Sequence, residues 1–394
     1  MATSDGDDLS RNDCSLGQFL AYFAKLGTIG LGGPIAMAGA MQRDLVDRKQ
    51  WISLREYKEG LALLQLAPGP LAAQLAIYLG WVRFGVPGAT LVAFTFITPS
   101  LLTALGLAAL YIRFGGLSWV QGVFYGVGAD VIAVIARSAW KLAKSTLGTK
   151  RLSWILFLIT ATVTIWTESE IVWLFIGAGL VALAVRAINH PLSLAASSAL
   201  IAMPPCLLSS LEGVSPDGTV LRIFLYFAEV GAFVFGSGLA IVPFLHGGVV
   251  NQFHWLTERQ FLDAVAVAMI TPGPVVITVA FIGYLLAGTF GGLSAAAGVF
   301  LPCYLFVILP APYFKRVARN PWISAFVEGV TAAATGAIAG AAVVVGRRAI
   351  VDLPTIALAS ATFVVVWKVR RIPEPVIILV AGIIGWLLKI WILR

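Results

Sequence analysis

Two copies of one tripeptide hold the residues best placed to do chemistry. Pro68-Gly69-Pro70 lies in the apolar run Leu61 to Tyr78, and Pro272-Gly273-Pro274 lies in the apolar run Ala264 to Leu286. Two prolines around a glycine remove backbone donors, clash with the preceding turn and favour non-helical dihedrals, so no helix passes either copy unbroken. Pro70 and Pro274 suit the first position of a half-helix. That leaves the amides of Leu71, Ala72 and Ala73, and of Val275, Val276 and Ile277, unpaired and pointing back at the break. Such a terminus attracts anions. The competing reading is a structural kink packed by its neighbours.

Polar side chains flank the breaks. Gln65 and Gln74 bracket the first, Thr271 and Thr278 the second, and all four offer neutral donors or, equally, interhelical hydrogen bonds. Ionisable residues inside apolar runs carry more weight because charge is expensive there. Lys25 and Glu229 are opposite charges at matched places, expected either to pair with each other or to line a substrate path. Asp130 and Glu328 are proton-coupling candidates, against simple helix-end or interhelical hydrogen bonding. The glycine-rich stretches with Gly32 and Gly33, and with Gly236 and Gly238, are expected to be second broken elements facing the first, or else close-packing surfaces. No catalytic set is expected. His190, His246 and His254 lack metal-ligand spacing, Cys14, Cys206 and Cys303 are far apart, and no phosphate-binding loop occurs, so neither cofactor nor metal is called for.

Composition sets what must position these groups. Of 394 residues, 59% are hydrophobic and 12% charged, and the mean hydropathy is +0.92. This is an all-α polytopic integral membrane protein embedded in a lipid bilayer. About a dozen apolar runs begin near Leu16, Leu61, Gly88, Trp119, Leu152, Ile171, Leu192, Ile223, Phe261, Thr289, Trp322, Leu353 and Val376, some of them re-entrant. The net charge of +8 falls in short loops, which argues for positive-inside anchoring and against nucleic acid. Residues 1–15, with Asp5, Asp7, Asp8 and Asp13, read as a disordered tail and not as a cleaved leader.

The chain also repeats itself. Phe23, Gly27, Gly32, Trp51 and Pro68 recur as Phe227, Gly231, Gly236, Trp255 and Pro272, 204 positions later (231 − 27), and after a one-residue deletion Gly88, Pro99, Trp119 and Gly126 recur as Gly291, Pro302, Trp322 and Gly329, 203 later (291 − 88). The division is a first repeat at 16–188, a connector and linker at 189–221 and a second repeat at 222–394. In the first half Lys and Arg crowd the Arg43 to Lys58 and Arg137 to Arg151 connections. Placing both on the cytoplasmic side makes the run broken at Pro68-Gly69-Pro70 re-entrant. In the second half the bias partly reverses, as inverted repeats require.

These stretches resemble the chromate ion transporter family in its long, two-domain form. The resemblance rests on Phe19, Phe23, Leu26-Gly27, Gly30 and Gly32-Gly33-Pro34, then Trp51-Ile-Ser with Tyr57, then Leu61 to Gly80. In the second half it rests on Trp255 to Asp263, Thr271 to Pro274 and Phe300-Leu-Pro302. Met37 stands where members of the family often have histidine, and Gly236-Ser237-Gly238 where three glycines are usual. The resemblance implies export of chromate by a multi-pass protein of the cell membrane, with sulfate-like oxyanion transport and an anion channel as alternatives, and a homodimer as a possible assembly. Moving a dianion out of a negative interior is downhill by roughly 4.6 kcal/mol per 100 mV.

Overall fold

The computed structural model describes residues 12–30, 33–64, 67–114, 118–168, 171–189, 219–233, 241–271, 273–313, 320–349, 352–368 and 374–392, with no β-strand among them. The chain opens with two helical hairpins that enter and leave on one face. α1 (Leu16–Ile29) starts at a reciprocal Ser15/Gln18 cap and buries Phe19, Phe23 and Gly27, spaced four apart. Its 14 residues reach only about 21 Å, short of the ~30 Å hydrocarbon core. After Gly30 the chain turns back through α2 (Gly33–Met41) and a π-helical stretch, Gln42–Arg48. The return is fixed where the ends meet: Asn12 N donates to Gln50 O at 3.0 Å, and the Phe19 and Trp51 rings are 6.0 Å apart.

The second hairpin is built on the first proline-glycine-proline. α3 (Leu54–Leu64) enters from the same face, and the first arm of α4 (Leu71–Phe114) brings the chain back, with Gly60 seated against the Tyr78 ring. Phe84 and Gly85 then leave helical geometry, Gly85 at φ 66°. Arg83, just before this bend, donates to Asn12 O at 3.1 Å and so lies on the face where the chain began. The long arm of α4, 86–114, crosses the membrane. α5 (Ser118–Leu147), α6 (Arg151–Thr167) and α7 (Val172–Asn189) follow.

The second half repeats this order. α8 (Thr219–Phe233) precedes α9 (Ile241–His246), which continues into a second π-helical stretch, Gly247–Gln252. Then come α10 (Glu258–Ile270) and α11 (Thr278–Ile308), which bends at Ala287 and Gly288, the position 203 residues after Gly85 (288 − 85). α12 (Pro321–Ala349), α13 (Leu353–Lys368) and α14 (Glu374–Ile392) complete the chain.

The halves are inverted. The long arms of α4 and α11 occupy the same place in the repeat, yet they pack antiparallel: the Thr90 hydroxyl meets the Tyr304 hydroxyl at 2.7 Å, while Leu105 lies against Gly292. The second half's hairpins therefore enter from the opposite face. Asn251 reaches the Glu168 carbonyl there at 2.8 Å. Among the described residues Arg43, Arg48, Lys49, Arg55, Lys58, Lys141, Lys144, Lys150, Arg151 and Lys368 line the first face or its edge, against Arg113, Arg222, Arg259 and Arg347 on the second. The positive-inside rule points to the first face as the cytoplasmic one. The outer helices are exchanged: α6 and α7 pack on α12, and α13 and α14 pack on α5, so each half holds the other.

Several expectations change. The runs starting near Leu16, Ile223 and Phe261 belong to half-depth hairpins and not to spans, as expected of the run starting near Leu61. Residues 12–15, assigned to a disordered tail, are tied down by Asn12. The connector at 190–218 and residues 1–11 lie outside the described residues. With Cys14, Cys206 and Cys303 replaced, Thr149→Cys is expected to react with an impermeant maleimide only from the cytoplasmic side. Leu353→Cys, at a position 78% exposed, is expected to react only from the other; labelling from one common side would refute the inversion.

Candidate functional site

Each proline-glycine-proline tip is buried against the long helix of the opposite half. Gly273 sits on Ser100 of α4, and Gly69 faces Cys303 of α11, whose sulfur would lie 3.4 Å from a Cβ added at Gly69; Ser100 and Cys303 are themselves 203 residues apart (303 − 100). The glycine-rich stretch of the first half joins this contact. Gly273 N donates to Gly30 O at 2.9 Å, and Ser100 Oγ donates to Gly27 O at 3.1 Å. Only glycine suits the tips. Gly69 and Gly273 hold φ 132° and 107°, and a Cβ on Gly273 would run into Ser100 Oγ.

The half-helix beyond each tip starts differently. In the first half Gln74 N is the first amide to find an intrahelical partner, Pro70 O at 3.1 Å, so Leu71, Ala72 and Ala73 present orphan amides at the break. The fully buried Gln74 side chain caps the same turn, its Nε2 donating to Pro68 O at 2.6 Å, and its Oε1 has no partner among the described residues. In the second half Val275–Ile277 is a 3-10 turn. Ile277 N donates to Pro274 O at 2.9 Å, so the expected triplet of free amides shrinks to Val275 and Val276. Thr278 is fully buried. Thr271 turns back, donating to Val267 O at 2.7 Å, and so serves its own helix. Gln65, Pro272, Gly32, Gly236 and Gly238 lie outside the described residues; Gly33 begins α2.

Lys25 and Glu229 are not paired. Under inversion, matched positions lie on opposite sides of the midplane, and α1 packs on α4 while α8 packs on α11, with α1 and α8 not packed together. Lys25 instead joins an exposed stripe of α1 with Gly17, Gln18, Ala21 and Thr28. The same stripe carries Ile29, 60% exposed. Glu229, at the equivalent place, is half-buried.

The two proton-coupling candidates part company. Asp130, within α5, is fully buried, and neither carboxyl oxygen has a hydrogen-bond partner among the described residues; Thr362 of α13 stands beside it. Glu328 is engaged near the cytoplasmic end of α12, accepting from Lys150 Nζ at 2.6 Å and from Ser153 Oγ at 3.1 Å. That pairing makes it a helix-end anchor.

Sequence reasoning missed three features. Ser100 and Cys303 cradle the tips; their signal was the register of the repeat, one residue after Pro99 and Pro302. Tyr111 OH donates to the buried Asp263 Oδ2 at 2.7 Å, joining α4 to α10 on the outer side. His246, also buried, meets the Glu258 carboxylate at 2.9 Å on that side.

Inverted helical repeats with broken helices are an architecture found among membrane transporters. The chain belongs to the chromate transporter family, whose profile matches residues 17–183 and again 221–386. It is 56% identical over 371 residues to the chromate transport protein of Cupriavidus metallidurans, covering 94% of this chain and 92% of that one. It is 52% identical over 373 residues to the probable chromate transport protein of Synechococcus elongatus, covering 94% and 95%. A chromate transport protein of Pseudomonas aeruginosa is 30% identical over 387 residues, covering 94% and 92%. No solved structure matches the chain.

The tips can be tested by stability. Gly85→Ala is expected to cost about 1–3 kcal/mol for a left-handed non-glycine residue, since its added Cβ meets little else. Gly273→Ala, which adds the collision with Ser100, is expected to lower the unfolding temperature further. Equal shifts for the two variants would show that the tip is loosely packed.

Proposed function

We propose that the protein exports a tetrahedral oxyanion dianion, chromate foremost, across the cell membrane as a secondary transporter. The observation that carries the reading is the pair of proline-glycine-proline tips, each pressed against the opposite half and each leading into a half-helix with orphan amides. The partial positive charge of those termini suits an anion. Lys25, exposed on α1, supplies a full charge along the approach from the cytoplasm. Gln74 holds the first tip in shape. The residues assigned to the site are Lys25, Gly33, Pro68, Gly69, Pro70, Leu71, Ala72, Gln74, Gly273, Pro274, Val275, Val276 and Thr278.

The two faces differ in how the halves are joined. On the outer side Tyr111 and Asp263 latch the two halves together. The repeat equivalent of Asp263 on the inner side is Glu59 (263 − 204), and it is bound within its own helix by Arg55 at 3.1 Å. Phenylalanine at 314 stands in for Tyr111 (314 − 111 = 203) and has no hydroxyl to donate. Among the described residues the inner side has no counterpart of this latch, and the halves are joined there by Thr90 with Tyr304 and by Lys150 with Glu328 instead. Asp130 is the proton-exchange candidate, because a carboxyl without a partner at this depth is costly to charge.

Chromate uptake into everted vesicles, with sulfate as competitor, tests the reading. Lys25→Ala is expected to raise KM by about tenfold or more, the scale of a lost hydrogen bond to a charged group, with kcat little changed. Asp130→Asn is expected to abolish the response of uptake to an imposed proton gradient while leaving exchange intact. Absence of any oxyanion flux through the purified protein would sink the central claim. Unaltered kinetics in both variants would instead remove the site.

A further inference from the structure

One cleft lies well away from the tips. It has a volume of about 320 Å³ and lies at the cytoplasmic end of α6, α7 and α12, where Lys150, Arg151, Arg186 and Glu328 meet. α6 and α7 both pack on α12 but barely touch each other. They leave a groove floored by α12 and open to the side. Its outer flanks are membrane-facing, with Ile155 and Leu158 on α6 and Leu180 and Val181 on α7 exposed. Deeper, the walls become apolar through Leu156 and Ala182.

At the mouth the charge is one-sided. Three cations face one carboxylate, and that carboxylate, Glu328, is already held by Lys150 and Ser153. Arg186 is half-buried with its guanidinium 5.7 Å from the Trp322 ring, and its Nε is buried without a hydrogen-bond partner among the described residues. A buried guanidinium donor left unsatisfied is costly and calls for an acceptor. A tryptophan at this level marks headgroup depth. Basic above and apolar below, at the inner leaflet, the groove has the polarity of a phospholipid: phosphate at the mouth, acyl chain along the wall.

We infer that this groove binds the phosphate of an anionic phospholipid of the inner leaflet through Arg186, Arg151 and Lys150, apart from the transport path. Native mass spectrometry of the detergent-purified full chain, titrated with phosphatidylglycerol or with phosphatidylcholine, tests it. The wild type is expected to retain phosphatidylglycerol in preference. Arg186→Gln and Arg151→Gln are each expected to weaken retention by about fivefold, the scale of one basic residue near an anionic surface, whereas Arg186→Lys keeps most of it. An unchanged elution profile in size-exclusion chromatography accompanies each variant, and one that misfolds is replaced by Lys150→Gln, for which the same loss is expected. Equal retention of the two lipids, or of phosphatidylglycerol by wild type and glutamine variants, overturns the assignment. Displacement of the lipid by inorganic phosphate overturns it too, in favour of a free-anion site.

Discussion

Unpaired backbone cannot face hydrocarbon, and that constraint organises the whole molecule. At the described proline-glycine-proline tips of the half-depth hairpins, peptide groups lack helical partners. Each tip must be covered by protein, and the cover comes from the other half: Gly273 against Ser100 and Gly30, Gly69 against Cys303. The exchanged packing of α6 and α7 on α12, and of α13 and α14 on α5, clamps the halves in that relation. The proposed mid-membrane anion site would thus be a by-product of how the chain hides its own broken helices. The same amides that cannot tolerate lipid are the ones an oxyanion would use.

The parts of this arrangement legible in the sequence were those governed by local backbone rules and written twice. Pro68-Gly69-Pro70 and Pro272-Gly273-Pro274 announce their breaks through missing donors, and the constant spacing between them announces a repeat. Loop charges, read in the first half, called for one re-entrant run, and the antiparallel long arms agree. The glycine-rich stretch after α1 was harder, because close packing and a chain reversal both favour glycine; the reversal at Gly30 decides it.

What escaped was contact between halves. Ser100 and Cys303 look like filler in apolar runs, and nothing local says that a tip will land on them. Lys25 and Glu229 invited pairing as opposite charges at matched positions, but inversion puts matched positions on opposite sides of the midplane. Tyr111 and Asp263 were invisible for the converse reason: they depart from the repeat, and a search for recurrence passes over what does not recur. Glu328 needed Lys150, 178 residues away, before its role could be told from that of Asp130.

The antiparallel packing of α4 on α11 has an evolutionary consequence. The surface that each half offers the other is self-complementary under a two-fold rotation about an axis in the membrane plane. A single half made as a separate polypeptide would find its complement only in a copy inserted upside down. An ancestor of that kind would have had to enter the bilayer in both orientations, with too little loop charge to fix either. Fusion into one chain freed the loops of the two halves to diverge in charge, and with them the two faces of the protein.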